Sequence, residues 1–240
     1  MTIAEKLIRH KQDLDEVYEA GKSQGIQTEY DRFWDTYQEM GNRNAYPNAF
    51  QQSWTDETFK PKYNITFGGD YPENAADSMF YKTKIVDLVG CLERQGVSID
   101  FSGCTRLSGT FDRSTTLKTI PPIDAVNIVK MILTFNQSPI ESIKIYNLRE
   151  DCVFDRAFNY LKQLTDLTLT GVIGNTLDIH YSTKLSADSI KSIIEHLGGS
   201  ASATLTLPTT AEANYDAVYG SGAYATLIAT KPDNWTIAYR

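Results

Sequence analysis

Phe158-Asn159-Tyr160-Leu161-Lys162-Gln163-Leu164-Thr165-Asp166-Leu167-Thr168-Leu169-Thr170 is the stretch whose reading decides the fold. Phe158 leads, apolar residues follow at steps of three (Leu161, Leu164, Leu167), and the segment closes on the alternating pair Leu167 and Leu169. Steps of three suit an irregular turn that buries a side chain at each bend. Alternation suits a strand with one face inward. The order returns as Phe111, Ser114, Leu117, Ile120, in contracted form as Phe135, Ser138, Ile140, Ile143, Ile145, and more weakly as Phe80, Thr83, Ile85, Leu88. Phe111, Phe135 and Phe158 stand 24 and 23 residues apart.

A period of that size belongs to leucine-rich repeats, in which no unit buries its apolar edge alone and stacking supplies one core. The expected fold class is α/β: an irregular leucine-rich repeat solenoid with a parallel sheet, N-terminal helices and a mixed α/β C-terminal cap. Ile99, Ile143, Ile145, Leu167, Leu169, Leu177 and Ile179 should point inward, with Phe111, Phe135 and Phe158 buried on the opposite wall. Alternation places strands at 97–101, 142–146, 166–170, 176–180 and 204–206. The copy at 119–121 is poorer because Pro121 cannot donate to a ladder. Unequal spacing, with an insertion around 93–96, makes the units differ in length.

Four segments follow from this reading. Residues 1–27 form a helix whose seam (Ile3, Leu7, His10, Leu14, Val17, Gly21) has heptad spacing, so it either self-associates or lies on the body. Residues 28–78 form an aromatic-rich N-terminal cap, with an aromatic ligand platform as the less common alternative; a helix starts at Thr28 with Asp31 completing a capping-box pattern, and Trp54, Phe59 and a strand-like stretch at 63–67 follow. Residues 79–183 carry the repeats. Residues 184–240 form the C-terminal cap: a helix capped by Ser186, buried through Ile190, Ile193, Ile194 and Leu197 and stopped at Gly198 and Gly199, then a strand at 204–207, a helix at 223–230 and a strand at 235–239.

Composition narrows the functional classes. The chain has 240 residues, is 41% hydrophobic and 22% charged, and carries a net charge of -7. This describes a globular protein without the basic stripe that duplex nucleic acid or an anionic membrane surface requires. The first twenty residues are studded with charge (Glu5, Lys6, Arg9, Lys11, Asp13, Asp15, Glu16). No secretory leader or membrane span is therefore expected, and the product is cytoplasmic as synthesised, with attachment to a virion left open. Cys91, Cys104 and Cys152 are odd in number and widely spaced, which fits buried thiols in a reducing compartment rather than a disulfide frame.

Chemistry is hard to find in the sequence. It holds no phosphate loop, dinucleotide glycine pattern or nucleophile elbow, and His10, His180 and His196 fall on separate elements without metal-ligand spacing. Catalytic residues, metal and cofactor are all expected to be none. Asp178 and His180 share the open face of a strand, as an acid–base pair or, far more commonly, as solvated side chains. Aligning the strands puts Asp100, Pro121, Lys144, Thr168, Asp178 and Thr206 in one outward row, and Ser102, Tyr146, Thr170 and His180 in the next. If this face binds, Lys144, Tyr146, Thr168, Asp178 and His180 are its contacts.

Phe111-Asp-Arg-Ser-Thr-Thr-Leu-Lys-Thr-Ile-Pro121 resembles the Phe-x-x-[Cys/Ser]-x-x-Leu-x-x-Ile-x-Ile-Pro unit of surface-antigen-like (BspA-like) leucine-rich repeats of bacterial adhesins, as does the stretch from Phe158 to Leu169. Leu161 departs from the Cys or Ser position, and Pro121 comes two residues early. A second resemblance spans more of the chain. Val17-Tyr-Glu-Ala-Gly-Lys22, Glu29-Tyr-Asp-Arg-Phe-Trp-Asp35, Trp54-Thr-Asp-Glu-Thr-Phe-Lys-Pro-Lys-Tyr63, Lys184-Leu-Ser-Ala-Asp-Ser-Ile190 and Trp235-Thr-Ile237 look like prophage-encoded repeat proteins of gut Firmicutes. That resemblance implies a tail or host-contact module and carries over no binding residue. The expected function is a non-enzymatic recognition or structural protein that meets a protein or glycan surface, with no nucleic acid or membrane partner, and self-associates through residues 1–25. A bacterial cell-surface adhesin and a phage-associated carbohydrate-active enzyme are the alternatives.

Overall fold

The computed structural model describes residues 54–62, 64–67 and 76–240, all within one compact unit, Gln51–Arg240. The heptad seam of residues 1–27, the helix from Thr28 and most of the aromatic segment lie outside the described residues. Among the described residues, no helix is long and apolar enough to cross a membrane.

The architecture is mixed α/β with three small parallel sheets. Strand β4 (Ser142–Leu148) pairs with β5 (Asp166–Gly171), matching Ile143 with Leu167, Lys144 with Thr168 and Ile145 with Leu169. The four aliphatic residues are buried, and the residues between them face outward, as alternation requires. Strand β3 (Ile123–Asp124) lies on the other side of β4, opposite Ile145 and Tyr146. Strands β1 (Ile65–Thr66) and β2 (Ile99–Asp100) form a second parallel pair. The strand expected at 119–121 sits instead at β3. Consecutive Pro121 and Pro122 supply no N–H groups, so Thr119 makes a single bridge to Asp87 and the ladder resumes past the prolines.

The expected continuous sheet from β5 onward is interrupted. Helix α2 (Ala187–Glu195), not strand β6 (Leu177–Asp178), occupies the free edge of β5. Its Ser189 hydroxyl accepts from the Leu167 N–H at 2.8 Å and donates to the Thr165 carbonyl at 3.2 Å. Ser192 does the same for Leu169, accepting at 3.1 Å and donating at 3.2 Å. Two serines one helical turn apart thus satisfy backbone groups that another strand would otherwise pair. Strand β6 belongs to a third sheet, with β7 (Ala203–Leu207) and β8 (Trp235–Tyr239).

The phenylalanine positions form the most regular part of the interior. Phe80, Phe111, Phe135 and Phe158 are buried and in contact, with centroids 5.5, 5.8 and 5.4 Å apart along the series. Backbone hydrogen bonds join the same places: Phe80 N–H to the Thr110 carbonyl, Phe111 to Thr134 and Phe135 to Ala157, at 2.7, 2.8 and 2.9 Å. Two residues before each ring stand Ser78, Gly109, Leu133 and Arg156, and two after stand Lys82, Arg113, Gln137 and Tyr160. All eight have positive φ, between 52° and 62°. For non-glycine residues that conformation costs about 1–2 kcal/mol each, offset by the buried ring between them at roughly 1.5–3 kcal/mol and by the ladder bonds. The serines of the sequence pattern have a matching task. Ser114 donates to the Phe80 carbonyl and Ser138 to the Phe111 carbonyl, both at 2.5 Å.

Helices fill the longer connections. The expected insertion at 93–96 is the end of α1 (Leu88–Gln95), which buries Leu88, Cys91 and Leu92. Asp87 caps it by accepting from the Gly90 N–H at 2.9 Å, and Gly96, at φ 64°, ends it. Ser186 caps α2 by accepting from Ser189 N–H at 3.3 Å, and Ile190, Ile193, Ile194 and Leu197 are buried as expected. That helix ends at His196, before Gly198, whose carbonyl instead accepts from the Trp235 indole at 2.8 Å. Helix α3 (Ala211–Tyr219) was not expected, and α4 (Ala223–Ile228) is shorter than the helix read at 223–230.

Asp112 is a carboxyl among these buried turns, 6% exposed, accepting from Asn136 Nδ2 at 2.7 Å. Burial outweighs that bond and holds its pKa above the usual carboxylate value. The native state therefore grips the proton more tightly than the unfolded chain does. Its stabilising contribution is full below the unfolded pKa of about 4 and is lost as pH rises through the native value. Asp112→Asn keeps an acceptor for Asn136 and removes the titration. Urea unfolding at pH 4, 5.5 and 7 should show the variant gaining on the parent as pH rises; parallel pH profiles would refute this.

Candidate functional site

The five expected contact residues fall on two sheets. Lys144 and Thr168 face each other across β4 and β5, and Tyr146 stands two residues along, opposite Asp124. Lys144 and Tyr146 are exposed, and Thr168 is half-buried. Asn147 ties this end together, its side-chain amide donating to Asp124 Oδ1 at 3.0 Å and its backbone N–H to Thr170 Oγ1 at 3.1 Å. The result is a small polar face with one aromatic ring, held by a rigid parallel pair.

Asp178 and His180 lie elsewhere, at the end of β6. The outward row drawn through Lys144, Thr168, Asp178 and Thr206 is therefore corrected: α2 separates β5 from the third sheet, and Thr206 is buried rather than open. Within its own sheet the pair is well formed. Asp178 Oδ1 lies 2.6 Å from His180 Nδ1 and also accepts from the His180 backbone N–H at 3.2 Å. A carboxylate oxygen accepts, so Nδ1 donates its proton to Asp178 and Nε2 is the nitrogen left facing away from it.

Beside this pair are rings the sequence reading passed over. Tyr181 lies 3.9 Å from His180 and 4.1 Å from Tyr160, centroid to centroid. The Tyr160 side chain beside it pushes the Tyr181 pKa up. One signal was available. Tyr160 stands two residues past Phe158 and Tyr181 two past Ile179, so aligning the units on their buried residues brings the rings together.

Other reactive groups are occupied or suppressed. All three cysteines are buried free thiols. Burial pushes Cys104 and Cys152 up to about 12 and raises Cys91, which leaves almost no nucleophilic thiolate near neutrality. His196 donates from Nδ1 to the Ser192 carbonyl at 2.7 Å within its helix. Asp100 is on β2 and Asp178 on β6, in different sheets. Among the described residues, no group of three or more His, Cys, Asp or Glu could hold a metal ion. An open groove of about 720 Å³ runs between Arg149–Asp151, Gly174–Asn175 and Ser200–Ala201. Its arginine is already engaged by Asp151, at 2.8 and 2.9 Å. No family model matches the chain, and comparison with curated proteins and with solved structures returns no relative.

Proposed function

We propose that this chain is a non-enzymatic recognition or structural protein, built as an irregular leucine-rich repeat array of the surface-antigen-like class and working by contact with a protein or glycan surface. The observation that carries this is the corner that returns at Phe80, Phe111, Phe135 and Phe158, with positive φ two residues to either side and hydrogen bonds running from each to the next. A stacked array of this kind spends its sequence on repeating backbone and leaves outward side chains free to vary, which suits surface recognition rather than an enclosed reaction site. Lys144, Tyr146 and Thr168 form the contact patch: Tyr146 supplies area, and the charged and hydroxyl neighbours supply orientation. Attachment to a phage tail or another host-contact particle belongs to the same reading.

An array of host-surface proteins and glycans tests it. The full chain should bind a subset, and Tyr146→Ala or Lys144→Ala should weaken that binding about tenfold or more. Binding untouched by both changes would remove this face from consideration. Hydrolysis of a glycan by the pure protein would overturn the non-enzymatic reading.

A further inference from the structure

Three rings in contact at the surface need a physical account. Tyr160 is 42% exposed, although its position in the preceding units is held by Lys82, Arg113 and Gln137, long side chains that reach water easily. An aromatic ring replaces them where Tyr181 of the following unit lies against it. The group is also rigid. The Tyr160 and Tyr181 rings stack at 4.1 Å, the His180 ring is fixed by Asp178 at 2.6 Å, and the Tyr160 backbone is locked in its left-handed turn. Little side-chain entropy would be lost when a ligand settled there.

The surroundings decide the ligand class. Lys162, Gln163, Thr183 and Lys184 around the rings are exposed and polar, with Lys184 Nζ donating to Gln163 Oε1 at 2.6 Å. A protein hot spot sits in a well-packed pocket closed off from water, and these rings lie open at the surface. An aromatic face ringed by hydrogen-bonding groups suits a ligand that is apolar on one side and hydroxylated at its edges. Among the described residues, Asp178 Oδ2 and His180 Nε2 have no hydrogen-bond partner, and a hydroxyl group, which can both donate and accept, suits both. A gluco-configured pyranose has this form, since its hydroxyls are equatorial and its axial C–H groups make a flat apolar face.

Resting on the surface-recognition reading above, we propose that Tyr160, Tyr181 and His180, with Asp178 at their edge, form a carbohydrate subsite that stacks one gluco-configured pyranose ring of an oligosaccharide. The ring lies on the exposed aromatic surface led by Tyr160, and its hydroxyls donate to Asp178 and hydrogen-bond with His180.

Calorimetric titration of the full chain with cellohexaose and with maltohexaose separates β-linked from α-linked sources of the same ring. At least one should bind saturably. Tyr160→Gln installs the residue that already occupies the equivalent left-handed position at 137, so it should keep the fold and weaken binding about tenfold. Tyr160→Phe keeps the ring face and should bind within about threefold of the parent. His180 imidazole resonances should shift on saturation in the parent, and in Tyr160→Gln only at about tenfold higher sugar concentration. Failure of both sugars to bind, equal binding by Tyr160→Gln, or equal loss in the Gln and Phe variants would each overturn the subsite. A host protein captured through Tyr146 alongside failure of both sugars would leave the recognition reading standing and remove this one.

Discussion

Phe111→Ala will lower the unfolding free energy by about 3–5 kcal/mol, a large share of the roughly 5–15 kcal/mol that holds a domain together. Phe111 is fully buried and meets three other rings: Phe80 at 5.5 Å, Phe135 at 5.8 Å and Phe101 at 6.2 Å, the last edge-on. Its backbone is pinned through Thr134, and its carbonyl accepts from Ser138, so the surrounding turns cannot close over the lost volume. The cavity term therefore adds to the transfer term instead of relaxing away. Urea titration should show a lower midpoint with unchanged slope. Val218→Ala, at a 66% exposed position, serves as the control and should stay within about 0.5 kcal/mol of the parent. A Phe111→Ala cost no larger than that control would mean the rings do not organise the interior.

Gly171→Ala should cost about 2–4 kcal/mol, for two reasons that add. Its φ of +97° disfavours any Cβ, and that Cβ would lie 2.3 Å from the Leu148 carbonyl oxygen and 2.4 Å from the Leu148 nitrogen. Both are backbone atoms, so no side-chain rotation relieves the clash. The register between β4 and β5 shifts at this point, and the close approach is what lets Leu148 pair with Gly171. Gly220→Ala isolates the first reason, since its φ is +99° and nothing lies within 4 Å of the added carbon. With ψ at 158° it should cost about 1–3 kcal/mol, and less than Gly171→Ala. Equal thermal stability of the two variants would show that the contact at Leu148 is readily absorbed.

What could be read from the sequence was what period 2 and the phenylalanine spacing encode. Ile143, Ile145, Leu167 and Leu169 alternate over a length that only a strand explains, and they pair in parallel as expected. The strand at Ala203–Leu207 and the one at Trp235–Tyr239 carry the same signal. Helix α3 escaped because it buries only Ala211 and Tyr215 and its N-cap, Thr210, makes no side-chain capping bond. Helix α1 was hidden by its shortness, with Cys91 occupying a core position that Leu or Ile would have made legible. The larger error concerned the candidate site. Alternation gives the facing of each strand but not which sheet it joins, and nothing local in Ser189 or Ser192 announced that a helix would take the place beside β5. Asp178 and His180 were legible as neighbours on one strand. Their separation from Lys144 and Tyr146 was not, because it depends on a tertiary pairing that periodicity does not carry.

The five-residue corners around Phe80, Phe111, Phe135 and Phe158 also bear on how such a chain tolerates gain and loss of residues. The interval from Phe80 to Phe111 is seven residues longer than that from Phe111 to Phe135, and α1 lies within it. The corners at the ends of that longer limb still stack at 5.5 Å and keep the same pair of left-handed residues. Length variation between these corners is thus confined to the limbs, where α1 finds room outside the stacked rings. A longer limb therefore leaves the stacked rings undisturbed: the seven extra residues between Phe80 and Phe111 change neither the ring spacing nor the left-handed residues at the corners.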